Sequence, residues 1–239
     1  ILIPPSVMLV TMGPIMGVPV TDLFAAAILP GLMLAGIYIS YSLIRCAINP
    51  SKGPALPKEM WPPSVWVALR DMVVGVMPLI ALIGSTLGCI LAGIATPTEA
   101  ASCGAFGALL LLFIYRRFSW FVLKDALFKT ANMTAMILIM IASCNFFGAV
   151  FSRLGSAAWL SRFLVSLDMP PMIMLALILV SIFLLGWAME WIPIVLIFMP
   201  LILPTVEALH FDKLWFCIVF AVTLQTSWLS PPVALSAYF

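Results

Sequence analysis

Gly93-Ile94-Ala95-Thr96-Pro97-Thr98-Glu99-Ala100-Ala101 sets a proline, two threonines and a carboxylate inside a run that is otherwise apolar from Met72 to Tyr115. In a bilayer these groups are costly. An ionisable carboxylate at the centre of a membrane helix costs roughly 2.5–3.5 kcal/mol on insertion scales. Proline removes a backbone donor for which lipid offers no substitute. A chain that keeps both at membrane depth buries them in protein or lines a polar cavity with them. Such a stretch points to transport rather than anchoring.

The 239 residues around it are 64% hydrophobic and 8% charged, against about 25% charged in soluble domains. Mean hydropathy is +1.23. Several runs reach the roughly 20 apolar residues that cross a hydrocarbon core, so the sequence reads as a polytopic, all-α membrane protein. The net charge of +2 is spread over loops, and no basic block suggests nucleic acid. Cys46, Cys89, Cys103, Cys144 and Cys217 stand singly, without metal or disulfide spacing. No GxxxxGK[ST] loop is present, which excludes ATP hydrolysis by a P-loop. Gly84-Ser85-Thr86 invites an intramembrane hydrolase, but the single histidine, His210, sits in a polar turn; no enzyme activity and no cofactor are expected. The chain starts at Ile1 without Met and stops at Phe239, both inside apolar segments, so it is expected to be part of a longer protein.

Along the chain, a short helix is expected after Pro4-Pro5, stopping near Gly13-Pro14. A long helix from about Asp22 to Ile48 follows, with Thr21 or Asp22 as its cap. Asn49 to Pro63 is a Pro- and Gly-rich loop. Ser64 to Asp71 is amphipathic, and Trp61 and Trp66 suit a membrane interface. Apolar residues then run from Met72 to Ala95, break at Thr96-Pro97 and resume to Tyr115. Further runs are Ala131 to Phe151, Pro170 to Leu185, Ile192 to Val206 and Leu214 to Trp228, with breaks at 186–190 and 230–232. Arg45, Lys52, Lys58 and Arg70 mark one cytoplasmic loop, and Arg116, Arg117, Lys124 and Lys129 a second. The two agree if the segments flanking Thr96-Pro97 go in and come back, as two spans or as a re-entrant hairpin.

Thr96-Pro97-Thr98-Glu99 has the form of a helix start. Threonine at the cap, proline at the first helical position and glutamate at the third make a capping box. Hydroxyl and carboxylate would satisfy orphan donors at the positive helix end. That role does not exclude binding: the same helix start can hold an anion, and the carbonyls of Ile94 and Ala95 can ligate Na⁺.

Glu190, in Gly186-Trp187-Ala188-Met189-Glu190-Trp191, is the second carboxylate at a break. It reads as an interfacial loop between two belt tryptophans or as a hairpin tip lining a translocation path. Gln225-Thr226-Ser227-Trp228-Leu229-Ser230-Pro231-Pro232 gathers polar side chains before two prolines. These can glue helices together. Carbonyls freed around the prolines make a cation site the favoured reading, with Ser6 after Pro4-Pro5 as a counterpart. Arg153 and Arg162 are expected to snorkel to the interface. Gly84, Gly88, Gly93, Gly104 and Gly107 are expected to allow close helix approach.

Leu2-Ile3-Pro4-Pro5-Ser6-Val7 is echoed by Leu229-Ser230-Pro231-Pro232-Val233. Corresponding breaks in two halves of a hydrophobic chain point to a transporter binding site. Here the sequence resembles the large membrane subunit of the tripartite ATP-independent periplasmic (TRAP) transporters. Residues 93–101 are similar to that family's G-[IF]-x-T-P-T-E-A-A stretch, Ile3-Pro4-Pro5-Ser6 to its I-P-P-S element, and Ser230-Pro231-Pro232-Val233 to its T-P-P-[VF]-G element. Ser230 and Ala234 depart from the usual Thr and Gly, and Leu224-Gln225-Thr226-Ser227 replaces a more frequent N-x-x-[IL]-G run.

The resemblance implies an elevator-type secondary transporter of the bacterial inner membrane, with inverted repeats, broken helices and re-entrant hairpins. Residues 1–63 would then close a first repeat and supply a connecting helix and cytoplasmic loop, and 64–239 would form the second repeat. It implies Na⁺-coupled uptake of organic acids, delivered by a periplasmic binding protein, together with a small four-helix membrane subunit. Ser6, Thr96, Pro97, Thr98, Glu99, Gly186, Glu190, Gln225, Thr226, Ser227, Ser230, Pro231 and Pro232 are the expected pathway residues. Thr96, Thr98, Thr226 and Ser230 are the Na⁺ candidates. The alternative is a related Na⁺–carboxylate elevator carrier that works without a binding protein.

Overall fold

The computed structural model describes residues 2–54, 57 and 61–229, so Ser230, Pro231 and Pro232 lie outside the described residues. Among the described residues 81% are helical and no strand occurs. Among the described residues, six helices are long and apolar enough to cross a membrane. It is an all-α membrane protein.

Local signals set most helix ends. Ser6 follows the cis Pro4-Pro5 bond and caps α1 (Val7–Met16), its hydroxyl accepting from Leu9 N at 3.4 Å. The expected stop at Gly13-Pro14 does not occur. Proline inside a helix forfeits a single backbone bond, and α1 continues until Gly17 turns left-handed at φ +68°. α2 (Val20–Ile48) begins directly after Pro19, whose carbonyl takes the amides of Asp22 and Leu23. Thr21 and Asp22 therefore stand in its first turn rather than at its cap.

The chain divides into two compact units, residues 29–118 and residues 1–28 with 119–239. In the first, α3 (Val65–Leu91) absorbs the amphipathic Ser64–Asp71 piece into one 27-residue helix capped by Ser64. α4 (Pro97–Ile114) returns alongside it. A Cβ on Gly104 would lie 3.1 Å from Thr86, and one on Gly107 would run into Leu82. Tyr115, just past α4, donates its hydroxyl to the Val74 carbonyl at 3.0 Å. As α4 advances its partners on α3 recede, so the two helices are antiparallel. This brings Arg70 and the Arg116-Arg117 pair to one end of the hairpin, as the in-and-back path requires. Gly84 and Gly88 have nothing within 4 Å of an added Cβ, so close approach falls to Gly104 and Gly107.

The second unit holds the deeply packed core. α5 (Trp120–Arg153) is a single 34-residue helix, merging the interfacial and spanning pieces that the sequence separates. α6 (Ser156–Ser166) packs along α9 (Met199–Ala208), α7 (Pro171–Ala188) packs on α10 (Lys213–Leu224), and α1 packs on α9 and α10. A single turn, α8 (Trp191–Pro193), and a π-helical stretch (Ile194–Phe198) connect without a gap to α9. Met8, Met12, Phe24, Ile194, Phe216 and Phe220 are fully buried. Lipid is as apolar as these side chains, so close packing rather than water exclusion holds them, and unbranched methionine fills irregular gaps.

The Val74 carbonyl would normally accept from residue 78, but Pro78 has no N–H. Tyr115 supplies the missing donor from the other helix. Tyr115→Phe in the full-length protein should therefore cost about 1–3 kcal/mol, the penalty of an unsatisfied carbonyl. It should appear as a lower thermal midpoint in detergent; an unchanged midpoint would show that the bond does not hold the hairpin.

Candidate functional site

The tip of the α3–α4 hairpin is fixed by a stop and a start only a few residues apart. Gly93, at φ +70°, ends α3. Its amide reaches the Ile90 carbonyl at 3.0 Å, and the Ile94 amide reaches the Cys89 carbonyl at 3.0 Å. This pair of bonds is the Schellman arrangement, which favours glycine at the left-handed position. Gly93 thus serves a turn, not close helix approach.

The expected capping box then opens α4. Glu99 Oε2 accepts from Thr96 N and from the Thr96 hydroxyl, both at 2.8 Å, and Thr96 Oγ1 accepts from Glu99 N at 3.4 Å. Pro97 holds the first helical position. Between the two signals, the carbonyls of residues 92–95 receive no hydrogen bond among the described residues. Thr98 uses its carbonyl for Ser102 Oγ at 3.1 Å, and its hydroxyl has no partner among the described residues. The tip therefore offers a row of free hard oxygens beside an anchored carboxylate, and Thr96, Thr98 and Glu99 are all exposed.

In the other unit the break is narrower than 186–190. α7 continues to Ala188, so Gly186 and Trp187 are helical, and only Met189 and Glu190 depart before α8 begins. Gly186 is where the chain closes on itself: a Cβ there would lie 3.0 Å from Ser227 Cβ. Trp191 is buried, with its ring 6.3 Å from that of Trp228, whereas Trp187 is exposed. Trp191 is thus not a belt residue. Glu190, half-buried at the cap of α8, has a carboxylate without a partner among the described residues.

After α10 the chain tightens into i→i−3 bonds at Gln225, Thr226 and Ser227. The Thr226 hydroxyl donates to Thr223 O and the Ser227 hydroxyl to Leu224 O, both at 2.7 Å, and Gln225 Nε2 donates to Ala221 O at 3.1 Å. Each group turns its hydrogen back onto the helix end. Ser227 is buried, and Gln225 and Thr226 are half-buried.

Gly186, Glu190, Trp191, Ser227 and Trp228 are therefore one neighbourhood. Ser6 is buried at the start of α1, which packs on α10 in the same unit. Thr96–Glu99 belong to the other unit.

The family comparison bears on this arrangement of breaks. All of residues 1–239 match the family described as the tripartite ATP-independent periplasmic transporter, DctM component. The chain belongs to this family. It is 30% identical over 255 residues to the C4-dicarboxylate TRAP transporter large permease protein DctM of Rhodobacter capsulatus, covering 100% of this chain and 56% of that protein. It is 27% identical over 238 residues to the 2,3-diketo-L-gulonate TRAP transporter large permease protein YiaN of Escherichia coli (strain K12), covering 97% and 53%. The sialic acid TRAP transporter large permease protein SiaM of Vibrio cholerae serotype O1 is 26% identical over 240 residues, covering 99% and 54%. This DctM-family chain spans about half the length of these relatives. Membership and the apolar helices make it a multi-pass protein of the bacterial inner membrane.

Two polar features escape the sequence reading of this DctM-family chain. Thr205 is fully buried on α9, and its hydroxyl has no hydrogen-bond partner among the described residues. A cleft of about 190 Å³ is lined by Asn145, Gly148, Ser152, Leu196 and Pro200, among others. Asn145, like Asn132 an amide within the Ala131–Phe151 run, is a signal of the same kind as Glu99, though weaker. Gly186→Ala should force Ser227 aside and destabilise the full-length protein by about 1–3 kcal/mol, as overpacking does. Gly84→Ala, in open space on a helix, should be neutral or slightly stabilising; equal thermal shifts for the two would refute the close approach.

Proposed function

We propose that this chain is part of the permease subunit of a Na⁺-coupled TRAP uptake system for organic acids. The observation that carries the reading is the α3–α4 tip, where unused carbonyls of residues 92–95 sit beside the Thr96–Glu99 cap. Lipid cannot satisfy such carbonyls, and a desolvated Na⁺ requires oxygens of this kind. Thr96 and Thr98 add hydroxyls at this tip; Thr226 and Ser230 are the Na⁺ candidates of the other unit. The N-terminus of α4, though capped by Glu99, supplies positive dipole for a substrate carboxylate. Glu190 and the Gln225–Ser227 turn supply a second polar lining, close to Gly186.

In this scheme residues 64–239 form the second inverted repeat and residues 1–63 close the first. The α3–α4 hairpin is re-entrant with its tip in the bilayer interior, and transport proceeds by an elevator movement. The partners are a small four-helix membrane subunit and a periplasmic binding protein that delivers the acid. The family description and the organic acids named for its relatives support this choice of partners and substrate class.

The test is uptake into proteoliposomes by the full-length permease, with and without its small subunit and binding protein, under an imposed Na⁺ gradient. Thr98→Ala and Ser230→Ala should each lower apparent Na⁺ affinity by about tenfold, equivalent to one lost ligand at roughly 1.4 kcal/mol. Unchanged Na⁺ dependence would remove them from the site. Uptake that proceeds equally well without the binding protein would favour the independent carrier. Glu99→Gln separates the roles of the carboxylate, because glutamine also closes a capping box. Folding should survive while Na⁺ dependence weakens.

A further inference from the structure

Two adjoining clefts at the base of the α3–α4 hairpin share Leu79, Leu111 and Tyr115. One, of about 340 Å³, opens beside Arg70 and Asp71; the other, of about 650 Å³, runs past Leu82 and Leu112 to Arg117. The floor of both is apolar and the charge is confined to one end. Arg70 is highly exposed and meets Asp71 only at 3.8 Å, and Arg116 and Arg117 form no ion pair among the described residues. Two guanidinium groups, Arg70 and Arg117, therefore line this oily groove against the one carboxylate of Asp71. Exposed Trp66, four residues before Arg70, suits that mouth to the membrane–water interface.

We propose that this groove seats one anionic phospholipid, its phosphate held by Arg70 and Arg117 and an acyl chain lying along Leu79, Leu82 and Leu112. Guanidinium matches phosphate oxygens with paired donors. Basic pockets on the positively charged side of membrane helices favour anionic headgroups by about 1 kcal/mol per cation. A soluble phosphate would satisfy the arginines but leave the apolar floor bare, which selects a lipid. Tyr115 lines both clefts and also donates to Val74. A seated lipid therefore covers the hydrogen bond that joins the two helices, and lipid occupancy stabilises the hairpin. The site is independent of whether the opposite tip holds an ion.

The experiment is native mass spectrometry of the delipidated full-length permease titrated with phosphatidylglycerol or phosphatidylcholine of identical chains. Thermal midpoint is followed in parallel. Wild type should hold one phosphatidylglycerol with a preference of about 10- to 30-fold, two cations' worth, and should melt higher with it. The R70Q/R117Q variant should lose both effects, R70K/R117K should keep most of the preference, and R45Q should resemble wild type. Equal binding of the two lipids, or a preference surviving R70Q/R117Q, would overturn the site. So would equal losses in the glutamine and lysine variants. Displacement of the lipid by millimolar sn-glycerol 3-phosphate alone would also overturn it, by showing a site for free phosphate.

Discussion

A helix interrupted inside hydrocarbon finds no water to hydrogen-bond its loose ends, and this constraint governs the arrangement of nearly every polar group in the chain. Where Pro78 orphans the Val74 carbonyl, Tyr115 crosses from the next helix to serve it. Where α3 ends, Gly93 folds two amides back onto Cys89 and Ile90, and where α4 begins, Thr96 and Glu99 close on each other. Thr226, Ser227 and Gln225 turn their donors onto the end of α10. Against that thrift, the carbonyls of residues 92–95 and the Glu190 carboxylate stand out as groups left open.

What could be read from the residues alone follows from how local each signal is. The T-P-T-E cap is complete within four residues, and its geometry is the expected one. The apolar runs and the basic ends of the hairpin are likewise matters of composition, and they place the in-and-back path correctly. Proline, by contrast, misleads at Pro14, because a single lost bond does not stop a helix whose neighbours pack well. Amphipathic stretches such as Ser64–Asp71 were separable from the spans by polarity, yet a continuous backbone ignores polarity as long as no breaker intervenes.

Tertiary partners were not legible. Tyr115 and Val74 are 41 residues apart, and nothing in either segment announces the other. Trp191 looks like a belt residue because it sits beside a break; only its contact with Trp228 shows that it faces protein. Gly186 reads as part of the break, whereas it is a helical position kept small for Ser227. In each case the decisive atom belongs to a distant segment, and hydropathy carries no record of it.

The capping box at Thr96–Glu99 would let a structural role and the proposed transport role share residues. Glu99 satisfies both hydrogens of Thr96 with a single carboxylate oxygen, Oε2. That closure fixes where α4 begins, and hence where the carbonyls before it point, while drawing on neither the Thr98 hydroxyl nor the carbonyls of residues 92–95. A binding site at the end of a helix needs its backbone held still without consuming the atoms that bind. Here the cap does the holding from inside the helix, and the oxygens on the loop side stay available. If the proposed site is there, substitutions that break the cap will move its ligands, and substitutions that spare it will report on the ligands themselves.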